Sequence, residues 1–229
     1  LVSTPAGDAV GMVHCNNCLG DQDAWIELLG EAAAMLGAEF DKDKLYSTLV
    51  GSVRYADKDC GGLLSYNYIS GEHITHFEQG RPLFIRTPNA QLSVANMMRT
   101  NMYSACASLR IGMRILFDYE GVALDTITGH GGYFKVSDVG QRIMAAAMGA
   151  PVTVMTTASE GGPWGIAILA AYMADSQDKT LPDYLSEIVF LDSDSTTVEP
   201  DGVDVGGFNA FMKRYEAGLG IERAAVETI

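Results

Sequence analysis

The chain has 229 residues, enough for one large domain or two small ones, and 48% of them are hydrophobic, as in ordinary globular proteins. Its 29 acidic residues outnumber 15 basic ones, so the formal net charge is −14 and the average surface repels nucleic acid and anionic lipid. No apolar run approaches the roughly 20 residues that cross a bilayer. We therefore predict neither a nucleic-acid nor a membrane partner, and a homodimer is left open.

The N-terminus has no initiator Met, no basic region and no apolar region of a secretory signal. It reads like the middle of a longer protein, and we expect sequence upstream of it.

The cysteines Cys15, Cys18, Cys60 and Cys106 have no disulfide-framework spacing, which favours a reduced, cytoplasmic protein with buried thiols. Cys15 and Cys18 form a C-x-x-C pattern beside His14. A zinc site would need a second ligand pair, and a redox site would need a thioredoxin-like context. Neither is visible, so we predict no metal site.

In the first third of the chain, residues 24–36 show the apolar spacing of a helix, and Gly37 is a plausible stop. A second helix is predicted to begin at Asp41, with carboxylates at its positive end. Residues 61–69 are apolar and aromatic and predict a strand. Residues 70–88, rich in Gly and Pro, predict a long loop.

Residues 93–119 give the strongest helix prediction, because apolar residues recur every three or four positions. We interpret the stripe as core: Val94, Met98, Met102, Cys106, Leu109, Met113 and Leu116. Other faces carry Arg99, Ser108, Arg110 and Arg114.

A strand–helix–strand–helix unit follows, typical of an α/β sheet with flanking helices. Strands are predicted at 122–128 and 151–157. The helix at 137–148 has Ser137 or Asp138 as its N-cap, and its inward face carries Val139, Ile143 and Ala147. A second helix is predicted at 161–174.

The C-terminal part is polar and acidic over residues 180–204, which predicts a surface excursion. Residues 206–220 predict a terminal amphipathic helix.

The glycine turn Gly129-His130-Gly131-Gly132 lies between a predicted strand and a predicted helix. Glycines let the backbone approach a ligand, and a helix N-terminus can hold a phosphate. The turn is not a dinucleotide fingerprint, because the third glycine would fall at Phe134, and no G-K-[ST] follows as in a Walker A loop.

The stretch from Thr128 to Val152 resembles the adenosine motif of the FGGY carbohydrate kinases. Downstream, residues 161–171 resemble the family's A-x-G-A-A-x-x-A helix. Upstream, the resemblance continues at three places. Residues 68–75 resemble the P-Y-L-S-G-E-R-T-P segment, and residues 98–105 resemble the R-A-x-x-E-G helix. Residues 20–25 resemble the stretch that opens a helix near the nucleotide. The matches fall in the family's order.

The resemblance implies an α/β, actin-like/ribonuclease H-like ATPase domain with a mixed sheet flanked by helices. Residues 1–229 would be the C-terminal nucleotide-binding domain of a sugar kinase, with 180–229 as a C-terminal extension and the N-terminal sugar-binding domain absent. The cofactors would be ATP and Mg²⁺. The nucleotide-binding residues would be Gly20, Gly131, Gly132 and Ser137.

The intact protein would transfer the γ-phosphoryl group to a pentose, a xylulose- or ribulose-like ketose, or a polyol. The catalytic base is expected in the missing domain, so this chain alone is predicted to be inactive. Asp21 and Asp23 are interpreted as helix N-terminal carboxylates.

The sequence departs from the family at Ala24, where a polar side chain would contact nucleotide, and at His73 and His76, which replace an Arg and a Pro. We interpret these histidines as solvated loop residues. One alternative is a non-catalytic actin/Hsp70-like ATP-binding module. Another is a Rossmann-type oxidoreductase with Glu160 as its acidic residue, although the glycine pattern opposes it.

Overall fold

The structure, a computed structural model, describes residues 1–156, 158, 161–191 and 193–229. Thr157, at the end of a predicted strand, and Glu160 lie outside the described residues. In chain order the elements are β1 (Val2–Ser3), β2 (Ala9–Val10), α1 (Gly20–Met35), α2 (Lys42–Gly51), β3 (Leu64–Tyr66), β4 (Leu83–Ile85), α3 (Val94–Arg114), β5 (Ile127–Gly129), α4 (Val139–Met148), β6 (Val152–Met155), α5 (Gly161–Ala174), α6 (Leu181–Tyr184), β7 (Ser195–Val198) and α7 (Gly202–Thr228).

The ends of the first two helices follow local signals that the sequence displays. Helix α1 ends before Gly37, which has a φ of +83° and donates its N–H to the carbonyl of Ala34. The carboxylate of Asp41 caps α2 by accepting from the N–H of Lys44 at 3.0 Å. Both boundary predictions are confirmed.

Helix α3 lies at the centre of the core. Met98, Met102 and Cys106 are at most 1% exposed, which confirms the predicted stripe there, whereas Val94 is 40% exposed. Arg99 and Ser108, which were predicted on other faces of the helix, are buried as well. The helix is enclosed on all sides because β3, α4 and α7 all pack against it.

The segment from 61 to 88 is more ordered than its composition indicates. Only residues 64–66 of the predicted strand form β3, which pairs antiparallel with β4 in the register Leu64–Ile85. Strand β4 falls within the predicted loop, which is therefore wrong there. A three-residue apolar strand among glycines and prolines carries no periodic signal of its own, and its partner supplies the order.

A mixed sheet in the order β5-β6-β7 lies behind α4. Strands β5 and β6 are parallel, as α4 connects them, and β7 pairs antiparallel with β6. The surface excursion predicted at 180–204 therefore contains a strand, β7, that was not predicted. Strand β7 lies at the edge of the sheet, and its first three residues are exposed and polar. It therefore lacks the apolar run that would predict a strand.

Helix α7 is longer than predicted and packs against α3, α4 and β3. Phe208 and Phe211 pack edge-on against Tyr103 of α3, and Tyr215 packs against Tyr66 of β3. Helix α5 has the predicted bounds, yet none of its residues is buried. Within the described part of the chain, no helix combines the length and apolarity that a bilayer crossing requires.

Candidate functional site

The glycine turn begins at Gly129, the last residue of β5. Gly131 has a φ of +90°, a conformation that glycine adopts without strain, and the space where a Gly132 side chain would lie is open. Gly129 has a packing role, because a side chain there would meet the ring of Phe134 at 2.6 Å. The turn is therefore tightly packed at Gly129, and the space beside Gly132 is open.

The helix that points at the turn is α5. A side chain at Gly161, the first residue of α5, would lie 3.9 Å from the amide nitrogen of Gly131. Helix α4 begins only at Val139, after a 3₁₀ turn at Gly132–Phe134. The positive end of a helix dipole therefore adjoins the turn, but it belongs to the second helix of the unit.

The far end of the turn is held by an ion-pair network. Ser137 is exposed, and its carbonyl accepts from Arg54 Nη2 at 2.6 Å. Asp138 caps α4 by position only, with a φ of +59° and no cap hydrogen bond from its side chain. Its carboxylate pairs with Arg54 at 2.5 Å and with Arg142 at 2.8 Å. Burial would raise the pKa of Asp138, but these two arginines lower it on balance.

Gly20 is the first residue of α1, and a side chain there would meet Ile69 at 2.9 Å. In the first turn, the carboxylate of Asp21 accepts from Trp25 Nε1 at 3.3 Å. Asp23 is exposed. Gln22 is 1% exposed, and its amide atoms make no hydrogen bond with the described protein atoms. No local sequence pattern indicates that the Gln22 amide near Gly20 is buried.

Tyr133, the residue after the glycine turn, anchors that segment to α3. Its hydroxyl donates to the carbonyl of Met102 at 3.2 Å and lies 3.0 Å from Cys106 Sγ. The pKa of Tyr133 is raised well above its usual value, first by burial and then by the nearby Cys106 and Cys18. Cys18, two positions before Gly20, therefore lies near Tyr133 of the glycine-turn segment.

A pocket of about 550 Å³ opens between α1 and α2, and Lys135 of the glycine-turn segment forms part of its wall. Apolar wall is supplied by Ile26, Ala34, Phe40, Leu45 and Tyr46. The volume falls within the range of small-molecule and cofactor sites.

The segment Ser70–Gly71–Glu72 binds the loop that precedes α1 through hydrogen bonds. Glu72 is fully buried, and its Oε2 accepts from the backbone N–H groups of Asn16 and Asn17 at 3.0 and 3.3 Å. The two asparagines between Cys15 and Cys18 therefore connect the C-x-x-C pattern to Glu72. His73 and His76 are exposed in this segment, as predicted.

The four cysteines are free thiols. Cys60 and Cys106 are buried, as predicted, and Cys15 is half-buried. The prediction of a buried thiol is wrong for Cys18, which is exposed because it lies in the loop before α1. Burial first, and Glu72 second, raise the pKa of Cys15 to about 11. Among the described residues, no cluster of three His, Cys, Asp or Glu side chains has the arrangement of a metal site.

The model of the C-terminal domain of the FGGY family of carbohydrate kinases matches residues 1–174. The chain belongs to this family. The family predicted from the motifs is thereby confirmed, and the matched range includes α1 to α5. Residues 175–229, including β7 and α7, lie beyond it. No curated protein matches the chain.

Solved structures of sugar kinases share its fold. The xylulose kinase from Rhodospirillum rubrum superposes with a TM-score of 0.62 at 16% identity, over 87% of this chain and 38% of that one. The xylulose kinase from Lactobacillus acidophilus gives 0.58 at 17% identity, over 76% and 34%. The Plasmodium falciparum glycerol kinase with ADP gives 0.51 at 16% identity, over 73% and 33%.

The FGGY chain described here therefore has the actin-like/ribonuclease H-like ATPase fold, and the predicted fold class is confirmed. It covers only about a third of the length of these kinases.

Proposed function

We propose that this chain is the ATP-binding half of a carbohydrate kinase that transfers the γ-phosphoryl group of ATP to a hydroxyl of a pentose, ketose or polyol. The observation that carries the proposal is the open glycine turn of an FGGY domain, with Gly131 at positive φ and the N-terminus of α5 against it. Backbone amides and a helix dipole suit phosphate binding without a net positive surface.

In this proposal Gly131 and Gly132 approach the nucleotide with their backbone, and Ser137 and Gly20 flank it. The α1–α2 pocket takes the adenine, because it combines apolar wall with Tyr46 and Lys135 at the side of the glycine turn. Lys135 Nζ lies 5.5 Å from the Tyr46 ring centroid and pairs with Asp43 at 2.7 Å, which places it at the exposed edge of that wall.

Mg²⁺ would arrive with the phosphates of ATP, since Mg²⁺ is commonly held by one or two carboxylates together with substrate phosphates. This fits the described residues, which form no metal cluster of their own. Bound Mg²⁺ would neutralise charge that develops on the transferred phosphoryl group.

We further propose that the acceptor sugar and the catalytic base are supplied by a domain outside these residues. Phosphoryl transfer requires donor, acceptor and base to be held in line, so removing two of them abolishes the positioning that accounts for the rate. The chain alone should bind adenine nucleotide weakly and phosphorylate no sugar.

The test is a fluorescence titration of the chain with a labelled ATP analogue and Mg²⁺, with NAD as a comparison. A coupled ADP-release assay follows with pentoses and polyols. We expect saturable binding of the ATP analogue, none of NAD, and no sugar-dependent ADP release. Failure to bind the ATP analogue would contradict the nucleotide site. Sugar-dependent release by the chain alone would require a base within it, and Asp21 and Asp23 would be tested first.

A further inference from the structure

A second cavity, of about 200 Å³, lies behind the glycine-turn segment, between the 3₁₀ turn at Ser52–Tyr55, α3 and α4. Its wall carries four cationic side chains and one carboxylate: Arg54, Lys58, Arg99, Arg142 and Asp138. The whole chain has only 15 Lys and Arg residues and a net charge of −14. Positive charge is therefore concentrated here against the average of the surface.

The cations are incompletely neutralised. Asp138 pairs with Arg54 and Arg142, and Asp204 pairs with Lys58 at 2.8 Å and with Arg99 at 3.2 Å. The carboxylate of Asp201 also lies near Lys58 and Arg142, so three carboxylates oppose four cations and an excess of one positive charge remains. An isolated excess of this size in a partly enclosed cavity favours an anion.

Arg99 is the most deeply buried of the four cations. Its side chain is 3% exposed, and its Nε makes no hydrogen bond with the described protein atoms. A buried polar group without a partner costs free energy, and most such groups in folded proteins are satisfied. The Nε atom is closed off even from a water-sized molecule, so Arg99 contributes positive charge to the cavity wall rather than a free donor at Nε.

We propose that this cavity is a binding site for a phosphate dianion, either inorganic phosphate or the phosphate of a small phosphomonoester. Guanidinium groups match the geometry of phosphate oxygens, and three of the four cations are arginines. A volume of about 200 Å³ is below the range of drug-sized pockets and suits a small ion. The proposal does not rest on the nucleotide site.

The test is isothermal titration calorimetry of the protein with inorganic phosphate and, separately, with a pentose 5-phosphate, at constant ionic strength. Arg142→Gln removes a cation and should weaken phosphate binding by about tenfold. Asp138→Asn removes the carboxylate and should tighten binding by at least about threefold. Asn tolerates the positive φ of this position, so the second variant should fold normally.

The matched control is Arg86→Gln, which removes an exposed arginine away from the cavity and should leave phosphate affinity unchanged. The ligand that binds tighter, phosphate or the pentose phosphate, identifies the source of the dianion. Absence of binding up to about 10 mM phosphate, or equal affinity of Arg142→Gln and Arg86→Gln, would overturn the proposal.

A competition arm separates this site from the nucleotide site. We expect phosphate to bind equally well with saturating ADP present. Competitive displacement by ADP but not by adenosine would assign the cavity to the nucleotide's own phosphates and would overturn a separate site. If the protein bound phosphate but no ADP, only the proposed kinase function would fail.

Discussion

The guanidinium of Arg99 lies against the carboxylate of Asp204, with Nη2 3.2 Å from Oδ1, and both side chains are at most 6% exposed. Arg99 is in the part of the chain that the family model matches, whereas Asp204 lies beyond it. The pair joins α3 to the first turn of α7 inside the protein. The C-terminal helix is therefore part of the same folded unit as the family domain.

Asp204→Ala should destabilise the protein by about 3–5 kcal/mol, because it leaves the Arg99 charge buried without its carboxylate. The free energy of unfolding in urea is the measurement. The control is Glu216→Ala, which breaks the ion pair with Arg114 at a site where both side chains are more than a third exposed. That change should cost at most about 1 kcal/mol. Similar small losses in the two variants would contradict a buried, structurally required pair.

Met102→Asp should destabilise the protein by several kcal/mol, about 3 or more, because Met102 is 1% exposed at the centre of α3 and a charge there has no partner. Thermal melts compare it with Met173→Asp, since Met173 on α5 is 86% exposed. The Met173 variant should change stability by no more than about 0.5 kcal/mol. An unchanged melting midpoint for Met102→Asp would place the stripe at a surface.

Gly132→Val should leave the fold intact and weaken ATP-analogue binding by about tenfold or more, because its side chain enters open space beside the glycine turn. The control is Gly220→Val, on α7, where the space for a side chain is also open. Circular dichroism and nucleotide titration are measured together for both variants. Equal nucleotide affinity of folded Gly132→Val and wild type would rule out this turn as the contact.

The carboxyl of Glu222 should make stability depend on pH. Glu222 is fully buried, with Oε1 2.7 Å from the N–H of Arg81 and no hydrogen bond from the described atoms to Oε2. Burial raises its pKa, and the hydrogen bond from Arg81 only partly opposes this. The folded state therefore holds the proton more tightly than the unfolded state, so the contribution is favourable at low pH and is lost as the pH rises through the folded pKa.

Glu222→Gln should accordingly be more stable than wild type at about pH 7, and the difference should shrink as the pH falls towards about 5. Urea unfolding at a series of pH values measures this. A difference that stayed constant with pH would show that Glu222 is not protonated over this range.

Replacing Ile166 and Met173 by lysine should reduce self-association of the chain at high concentration without lowering its stability. These side chains are 71% and 86% exposed on α5, whose 14 residues carry no charge. Exposed apolar patches of this kind promote association. Light scattering measures the effect, and Val203→Lys, at a 66% exposed position on α7, is the control. If the lysine variants of α5 scattered as much light as the control variant, α5 would not be the surface that promotes self-association.

The sequence by itself determined the family and every helix named above except α6. The stripe of α3, the inward face of α4 and the bounds of α5 were all readable, because helical hydrogen bonds and side-chain periodicity are local. The positive φ of Gly131 could be anticipated from glycine chemistry. The order of the family motifs along the chain also needs no structure, and it led to the FGGY kinases that the family match confirmed.

Only the tertiary structure decided where distant segments meet. Strands β4 and β7 exist through partners far away in sequence, so their short apolar or polar runs carried no signal. A charged side chain is rarely buried without a counter-charge. Arg99 can be buried because Asp204, 105 positions further along the chain, lies beside it in the fold. The same applies to Glu72, whose carboxylate is satisfied by amides of Asn16 and Asn17. Strand pairs, ion pairs and hydrogen bonds between distant residues form only when the chain folds and brings those residues together. Local sequence patterns do not encode which distant residues will meet.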